Sequence, residues 1–359
     1  MTKKIIFSTG GTGGHIFPAI NLMKHFFDKG YEVLLVTDTR GNNFIKNYSE
    51  FKSYVLKVET PINKNFLKKI LSFLLIFYSI IKSIIILKKE KPNVVFGFGG
   101  YVSFPVSFAS KFFNLPLIIY ENNMILGRAN KYLSLFSKKI LLAKKITENF
   151  PKKYNDKTFE VGPILDKNII NYSTSQKNIN RENFSFLVLG GSQGAEIFGK
   201  IVPPIIKMVK AQGYKIKIIQ QCIVNQKSSI VDFYEKNNIE NYIFEFDKNI
   251  LKLILSSDLA ITRCGASTTA ELVHTLTPFI AVPYPYSMDN HQYLNAKYYE
   301  NKGCCWVIEQ NNFNSTSLFN LIMEIMKDKR KLENIRENMK KNDSKNVYAK
   351  IENAIKEII

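Results

Sequence analysis

Short apolar runs that each end in a glycine-rich turn recur along this sequence, and they restrict the possible folds more than any other feature. The first run, Ile5–Ser8, leads into Gly10–His15, and a second, Val94–Phe96, leads into Gly97–Tyr101. A third run leads into Gly190–Ala195. A helical pattern follows each turn, and such alternation is typical of a parallel sheet. The sequence therefore predicts an α/β fold that binds its ligands at the carboxyl ends of the strands.

The chain is long enough for two domains, each with its own apolar core. It has 359 residues, of which 45% are hydrophobic, and this content is that of a globular protein. A polar segment rich in Asn, Ser and Lys separates two sets of predicted strands and helices. We therefore predict a first domain over residues 1–162, a linker over 163–184, a second domain over 185–340, and a C-terminal helix over 341–359 that packs back on the first domain.

The balance of charges favours an anionic partner. The 50 Lys and Arg residues against 30 Asp and Glu residues give a net charge of +20, which suits nucleic acid, acidic lipid or a phosphate-bearing substrate. A Lys-rich genome would explain the same excess. Outside one apolar segment, no interleaved aromatic and basic patch indicates nucleic-acid binding. The cysteines lack a metal-binding spacing, and we interpret them as reduced core thiols: Cys222, Cys264, Cys304 and Cys305.

The stretch Asp258–Gln292 has the pattern of a nucleotide-diphosphate pocket. A short apolar run is followed by a small-residue turn at Gly265 and by a helix that starts at Ala266–Thr268. The first turn of a helix exposes unpaired N–H groups, which an anion can approach when no bulky side chain intervenes. Glu271 comes one turn later, where its carboxylate can accept hydrogen bonds from a sugar diol. The alternative is that Thr268–Glu271 is only a capping box.

Two familiar phosphate-binding motifs are excluded. The dinucleotide motif G-x-G-x-x-G fails from Gly11 because Ile16 stands at its last position. The P-loop motif fails because Ile201 stands where Mg²⁺ binding needs Ser or Thr. The sequence contains no Asp-x-Asp pair. We therefore expect neither a metal bridge at a diphosphate nor another cofactor.

The segment Asn65–Lys89 is apolar on nearly all sides and is flanked by lysines. Its longest stretch without a charge, Ile70–Ile81, is too short to span a bilayer, and Lys82 interrupts it. An apolar helix with basic ends fits a segment that lies in the interface of an anionic membrane. The side chains that we expect to insert include Phe73, Leu74 and Phe77. The alternative is a buried core helix of a large domain.

In order and spacing, these motifs together resemble the MurG family of peptidoglycan glycosyltransferases. The resemblance spans roughly residues 1–310 and rests on Gly10–His15, Gly97–Tyr101 with Pro105, Glu121–Asn123, Gly190–Ala195 and Arg263–Gln292. It implies a GT-B architecture, with two Rossmann-like parallel-sheet domains facing a cleft. The implied reaction moves N-acetylglucosamine from UDP-N-acetylglucosamine to the 4-hydroxyl of the muramoyl sugar of lipid I, with inversion, and forms lipid II.

The resemblance also implies where the substrates bind. The first domain would hold the acceptor, with a glycine loop at Gly99, Gly100 and Tyr101, and would lie on the cytoplasmic face of the bacterial plasma membrane beside other cell-wall synthesis proteins. The second domain would bind UDP. The residues that match donor contacts are Thr12, Gly13, Gly14, Asn123, Ser192, Asp247, Ala266, Ser267, Thr268, Thr269, Ala270, Glu271 and Gln292.

Four of these positions have implied roles. Ser192 reaches phosphate, the backbone at Asp247 reads uracil, Glu271 binds the ribose, and Gln292 reads the sugar hydroxyls. The sequence departs from the family at its domain junction, where Gly162-Pro163-Ile164-Leu165-Asp166 lacks the family's Asn and Arg. Lys167 or Arg263 would then supply that phosphate-side contact. The sequence also has Asn122 and His291 where the family has Gln.

An inverting transfer needs a base for the acceptor hydroxyl and stabilisation of the charge on departing UDP. The candidate bases are His15 and Glu121, and the sequence leaves the choice between them open. Two other functions are also open: a UDP-sugar 2-epimerase of the same fold, and a membrane-bound scaffold whose site has decayed. The epimerase needs no membrane surface, and a decayed site would not keep its glycine loops together with His15, Glu121 and Glu271.

Overall fold

The structure, a computed structural model, describes residues 3–46, 48–60, 65–146, 150–172, 183–191 and 194–359. It divides into two compact units, one formed by Met1–Asp166 with Ser344–Ile359 and the other by Lys167–Asp343. Each unit contains one parallel sheet, of seven and six strands. The prediction of an α/β protein with two Rossmann-like domains is therefore confirmed.

Strands and helices alternate along both units. The strands are β1 (Lys4–Ser8), β2 (Glu32–Thr37), β3 (Lys52–Val55), β4 (Val94–Gly97), β5 (Leu117–Glu121), β6 (Lys139–Leu142), β7 (Thr158–Glu160), β8 (Phe184–Leu189), β9 (Ile216–Gln221), β10 (Glu240–Phe244), β11 (Leu259–Thr262), β12 (Phe279–Ala281) and β13 (Trp306–Val307). The helices are α1 (Gly13–Asp28), α2 (Thr39–Ile45), α3 (Phe66–Glu90), α4 (Ser103–Ala109), α5 (Arg128–Leu133), α6 (Lys167–Ile170), α7 (Glu196–Ala211), α8 (Lys227–Lys236), α9 (Ile250–Leu255), α10 (Ala266–His274), α11 (His291–Asn301), α12 (Ser315–Lys327), α13 (Arg330–Asn342) and α14 (Val347–Lys356).

In the first unit the strand order is β3-β2-β1-β4-β5-β6-β7. Phe7 of β1 packs in an apolar cluster with α1 and α14, whereas Ile6 packs on the other face with α3 and α4. The helices that follow the neighbouring strands β1 and β4 therefore cover opposite faces of the sheet. The position between β1 and β4, where the following helices leave towards opposite faces, is the switch point of the sheet. Parallel sheets bind their ligands at such switch points.

The second unit repeats this arrangement with the order β10-β9-β8-β11-β12-β13. Helix α7, after β8, packs through Phe198 and Val202 in one cluster. Helix α10, after β11, packs through Leu272 and Val273 in a cluster on the other face. The switch point of this sheet thus lies between β8 and β11.

The end of the chain completes the first unit. Val347, Ile351 and Ile355 of α14 belong to the same buried cluster as α1. A polar contact adds to this packing, with His25 Nε2 2.7 Å from Glu352 Oε1. The first unit therefore consists of two separate stretches of chain, and the second unit lies between them in the sequence.

Helix α3 is buried along one narrow face only. Three serines on that face are fully buried, and two of them donate hydrogen bonds to carbonyl groups of the preceding segment: Ser72 Oγ to Thr60 O at 3.4 Å and Ser79 Oγ to Lys57 O at 3.0 Å. Its other faces expose large apolar side chains. Among the described residues, α3 is the one helix that is long and apolar enough to cross a membrane by length and composition. The alternative of a wholly buried core helix is wrong, because most of its apolar residues are exposed.

At its C-terminal end α3 enters a buried charge network. The Glu90 carboxylate lies 2.6 Å from Lys52 Nζ and 3.3 Å from Lys4 Nζ, and it also accepts a hydrogen bond from the Tyr54 hydroxyl. Burial alone would raise the pKa of Glu90, but the hydrogen bonds from Lys52, Tyr54 and Lys4 outweigh burial and lower that pKa from 4.5 to about 2. The network fixes the end of α3 against the strands of the first unit.

We predict that Glu90→Gln lowers the free energy of unfolding of the first unit at pH 7 by about 3 kcal/mol. The lowered pKa of Glu90 means that the folded state favours the charged carboxylate, and the neutral amide of Gln loses this stabilisation. A depressed carboxylate pKa stabilises the fold above the unfolded-state pKa. This contribution should therefore disappear as the pH falls from about 4.5 towards 2. Urea denaturation at several pH values measures both effects, and Glu50→Gln, at an exposed position, is the matched control. An equal loss in both variants would contradict the prediction.

Candidate functional site

Two glycine-rich loops meet at the switch point of the first unit. The Gly10 N–H donates to Gly99 O at 3.3 Å. A Cβ atom on Gly100 would lie 3.3 Å from Gly10 Cα, and both Gly99 and Gly100 have a positive φ, of 83° and 76°. Only glycine combines this close approach with a left-handed backbone at low cost. The predicted acceptor-side loop therefore has its glycines for a structural reason, and Tyr101 beside them is half-buried.

His15 lies in the first turn of α1, against the second glycine loop. A Cβ atom on Gly99 would lie 3.4 Å from His15 Cε1, and one on Gly100 would lie 3.7 Å from His15 Cδ2. The glycines thus make room for the imidazole ring at the carboxyl edge of the sheet. Thr12, which precedes α1, is exposed, and Gly13 and Gly14 are half-buried. These four predicted site residues are close together at the start of one helix.

Glu121 is buried and its carboxylate is fully hydrogen-bonded. Oε1 accepts from the backbone N–H and the side-chain amide of Asn123, both at 3.1 Å. Oε2 accepts from Gly127 N at 2.9 Å and from Asn130 Nδ2 at 3.0 Å. The carboxylate therefore holds the loop after β5 in place. To accept a proton from a substrate hydroxyl, it would have to give up one of these bonds.

Asn130 is a residue of this site to which the sequence analysis assigned no role. It is fully buried, and its Nδ2 also donates to Tyr120 O at 3.0 Å. A Cβ atom on Gly99 would lie 3.1 Å from this same nitrogen. Asn130 therefore contacts both the loop after β4 and the end of β5. The only signal in the sequence for a role of Asn130 was its position directly after Gly127-Arg128-Ala129.

The switch point of the second unit lies between the third glycine turn and the start of α10. A Cβ atom on Gly190 would lie 2.3 Å from Ala195 N, and Gly191 and Gly194 have φ of 80° and 71°. This turn therefore also requires glycine. Ser192, the predicted phosphate contact, lies outside the described residues.

Helix α10 begins at Ala266, and Gly265 is its N-cap residue without a side-chain cap. Thr268 is therefore inside the helix, and the capping-box alternative for Thr268–Glu271 is wrong. A Cβ atom on Gly265 would meet nothing within 4 Å, so the approach to the first turn is open. The remaining predicted donor residues lie along this helix: Ala266, Thr269 and Ala270 are buried, and Ser267, Thr268 and Glu271 are half-buried.

Gln292 joins the ends of two neighbouring strands. Its Oε1 accepts hydrogen bonds from Cys264 N at 3.2 Å and from Tyr284 N at 3.0 Å. Both backbone groups follow directly on strands β11 and β12. Because these two bonds occupy the amide oxygen, the orientation of the side-chain amide is fixed, and only Nε2 can face a ligand.

Arg263 is not available for a phosphate contact. Its guanidinium is buried between the rings of Phe198 and Tyr284 and donates to Val282 O at 3.1 Å and to Gln310 Oε1 at 2.6 Å. Burial lowers the pKa of Arg263 and raises that of the neighbouring Cys264 thiol. The guanidinium group of Arg263 thus holds the segment after β12 in place through its hydrogen bonds.

Asp247 follows β10, and its side chain is held locally. Oδ2 accepts from the Tyr242 hydroxyl at 2.8 Å and Oδ1 from Asn249 N at 2.6 Å. These bonds fix the loop after β10, and the backbone contact to uracil at this position stays a prediction.

Two family models together match most of the chain. Residues 5–142 match the model of the glycosyltransferase family 28 N-terminal domain, and residues 185–354 match that of the family 28 C-terminal domain. A relative from Pelagibacter ubique, named UDP-N-acetylglucosamine--N-acetylmuramyl-(pentapeptide) pyrophosphoryl-undecaprenol N-acetylglucosamine transferase, is 36% identical over 98% of this chain and 97% of its own length.

Solved structures share the fold over nearly the whole chain. Acinetobacter baumannii MurG has a TM-score of 0.80 at 23% identity, covering 99% of both chains. Staphylococcus aureus MnaA in its structure with UDP has a TM-score of 0.70 at 15% identity, covering 99% of this chain and 96% of that one. At these identities the likeness establishes the fold alone.

The fixed amide of Gln292 generates a testable prediction. Gln292→Glu keeps an oxygen for Cys264 N and Tyr284 N but removes the only donor that can face a sugar hydroxyl. We expect the KM for UDP-N-acetylglucosamine to rise about tenfold, the loss of one hydrogen bond, while the Kd for UDP and the melting temperature stay unchanged. Steady-state kinetics, calorimetric titration and thermal denaturation measure the three quantities. A Kd for UDP that rises together with the KM would refute a role restricted to the sugar.

Proposed function

The chain belongs to the MurG family of glycosyltransferases, and we propose that it transfers N-acetylglucosamine from UDP-N-acetylglucosamine to the 4-hydroxyl of the muramoyl sugar of lipid I and thereby forms lipid II. The observation that carries this proposal is the 36% identity, over 98% of the chain, to a relative named for that transfer. The predicted glycine loops at both switch points support it. The epimerase and scaffold alternatives are not favoured, because the curated relatives carry the transferase name.

The donor nucleotide is assigned to the second unit. The approach to the first turn of helix α10 is open, and the N–H groups and dipole at the start of a helix favour a diphosphate. Glu271, one turn further, is the candidate for the ribose diol, and Gln292 Nε2 is the candidate for a sugar hydroxyl. The backbone after β10, around Asp247, is the candidate for uracil.

His15 is the better candidate for the base. Its ring lies in the space left by Gly99 and Gly100, whereas the carboxylate oxygens of Glu121 accept four hydrogen bonds from Asn123, Gly127 and Asn130. In the transfer, His15 would accept the proton of the 4-hydroxyl as that oxygen bonds to C1 of the sugar. The bond from C1 to UDP breaks, and the negative charge passes to the diphosphate. Glu121 would then be a positioning residue for the loop after β5.

We predict that His15→Ala lowers turnover by about 10²–10⁴-fold, the usual contribution of a general base, without changing the Kd for UDP or the melting temperature. Glu121→Gln should instead lower the melting temperature, because it turns an amide NH₂ group towards the N–H groups of Gly127 and Asn130. The assay is disaccharide formation from UDP-N-acetylglucosamine and a lipid I analogue. Near-normal turnover in His15→Ala, with a stable but inactive Glu121→Gln, would assign the base to Glu121.

We further infer that the first unit binds the cytoplasmic face of the plasma membrane through α3. The relatives are named for a substrate with an undecaprenol chain, which keeps such a substrate in the bilayer. Phe73, Leu74 and Phe77 are each at least 60% exposed, and Lys68 and Lys69 are exposed beside them. Inserted apolar side chains with nearby lysines favour an anionic surface.

The packing of α3 supports peripheral binding rather than a membrane span. The hydrogen bonds from Ser72 and Ser79 fix one face of the helix to the segment before it, and Glu90 fixes its end in the buried charge network. A helix that crossed the bilayer would lose these contacts. The exposed apolar surface continues on the short helix Ser110–Phe113, where Phe112 is 62% exposed.

We predict that Phe73→Asp or Phe77→Asp abolishes co-sedimentation with phosphatidylglycerol vesicles, because a charge on the inserted face opposes burial in the interface. Transfer to a short-chain, water-soluble acceptor should be unaffected. Val224→Asp, which changes a similarly exposed residue of the second unit (68%), is the matched control. Vesicle binding that persists in folded Phe73→Asp and Phe77→Asp would place the membrane contact elsewhere.

A further inference from the structure

The turn between β11 and α10 is held by two side chains of α11. Gln292 and Asn295 are three residues apart and therefore share one face of that helix. Gln292 Oε1 accepts the Cys264 N–H, and Asn295 Nδ2 donates to Cys264 O at 3.0 Å. Asn295 is 2% exposed. Both backbone polar groups of Cys264 are thus bound by α11, and Asn295 has no assigned role so far.

The hydrogen bond from Asn295 to Cys264 O also determines the direction of the neighbouring N–H group. Cys264 O and the Gly265 N–H belong to the same planar, trans peptide group and point in opposite directions. A hydrogen bond that fixes the carbonyl towards α11 therefore fixes the Gly265 N–H away from α11. This N–H bonds to no group in the described parts of the chain, and a Cβ atom on Gly265 would meet nothing within 4 Å.

We propose that Asn295 is a positioning residue for phosphate binding, which aims the Gly265 N–H at the diphosphate of the nucleotide by setting the plane of the Cys264–Gly265 peptide. The inference rests on the proposed function, because it takes the nucleotide to bind at the start of α10. It adds a residue that touches no substrate and acts through the backbone. The far side of the same turn is fixed independently, since Thr269 N and Thr269 Oγ1 bond to Gly265 O at 3.0 and 3.1 Å.

The test compares UDP with uridine, because only UDP carries the diphosphate. In Asn295→Ser the side chain is too short to reach Cys264 O, and the change buries no charge. We expect its affinity for UDP to fall about tenfold, the loss of one well-placed hydrogen bond, while its affinity for uridine stays that of the wild type. Asn301→Ser, at the exposed end of α11, is the control and should bind both ligands normally.

Asn295→Asp provides a second and independent readout. An ionised carboxylate cannot donate to Cys264 O, whereas a protonated carboxyl group can. The affinity of this variant for UDP should therefore be low at pH 8 and recover as the pH falls towards 5.5, relative to Asn301→Asp at each pH. Uridine is titrated at the same pH values, because a purely structural role of Asn295 would make the affinity for uridine fall and recover in the same way.

The outcomes separate the inference from the proposed function. The inference is overturned if Asn295→Ser weakens UDP and uridine equally, if it lowers only the melting temperature, or if Asn295→Asp shows no recovery at low pH. If the wild-type chain itself does not bind UDP, both the proposed function and the inference fail. If the wild-type chain binds UDP and Asn295→Ser binds it equally well, only the inference fails.

Discussion

The carboxyl edge of a parallel sheet is the constraint on which both units of this protein depend. At the switch points, the helices after two neighbouring strands leave towards opposite faces: α1 and α4 in the first unit, α7 and α10 in the second. A gap opens there, and bulky side chains on the surrounding loops would close this gap. The glycines at Gly99, Gly100 and Gly190 follow from this geometry, as does the concentration of polar side chains beside them.

The positions of these loops could be predicted from the sequence because glycine has a local signature. A dense glycine run after an apolar strand leaves few alternatives, and all three predicted loops lie at switch points. The same logic located α10, but not how it begins. The Thr268–Glu271 pattern allowed the alternative of a capping box with Thr268 as the N-cap residue, whereas the N-cap residue is Gly265, three residues earlier and without a side chain.

The roles of individual polar side chains could not be predicted, because their partners are distant in sequence. Glu121 had the chemistry of a base, but its partners are Gly127 at the start of α5 and Asn130 within α5, and no local pattern specifies how this part of the chain returns to the end of β5. Gln292 and Asn295 meet Cys264 across about thirty residues, and only the packing of α11 against α10 and β13 brings them together. In α3 the sequence did contain a local signal of the packed face, namely the three serines that are buried there: Ser72, Ser79 and Ser83. Their meaning was obscured because the rest of the segment is apolar.

The division of the first unit into two stretches of chain also has a consequence for biosynthesis. Helix α14 covers the apolar face formed by Ile16 and Phe26, and it leaves the ribosome after the whole second unit. During translation the second unit can therefore fold while this face of the first is still open to solvent. A chain that stops before α14 would keep that face exposed, where it could associate with chaperones or with other nascent chains. The order of synthesis thus delays completion of the first unit until the second unit has been made.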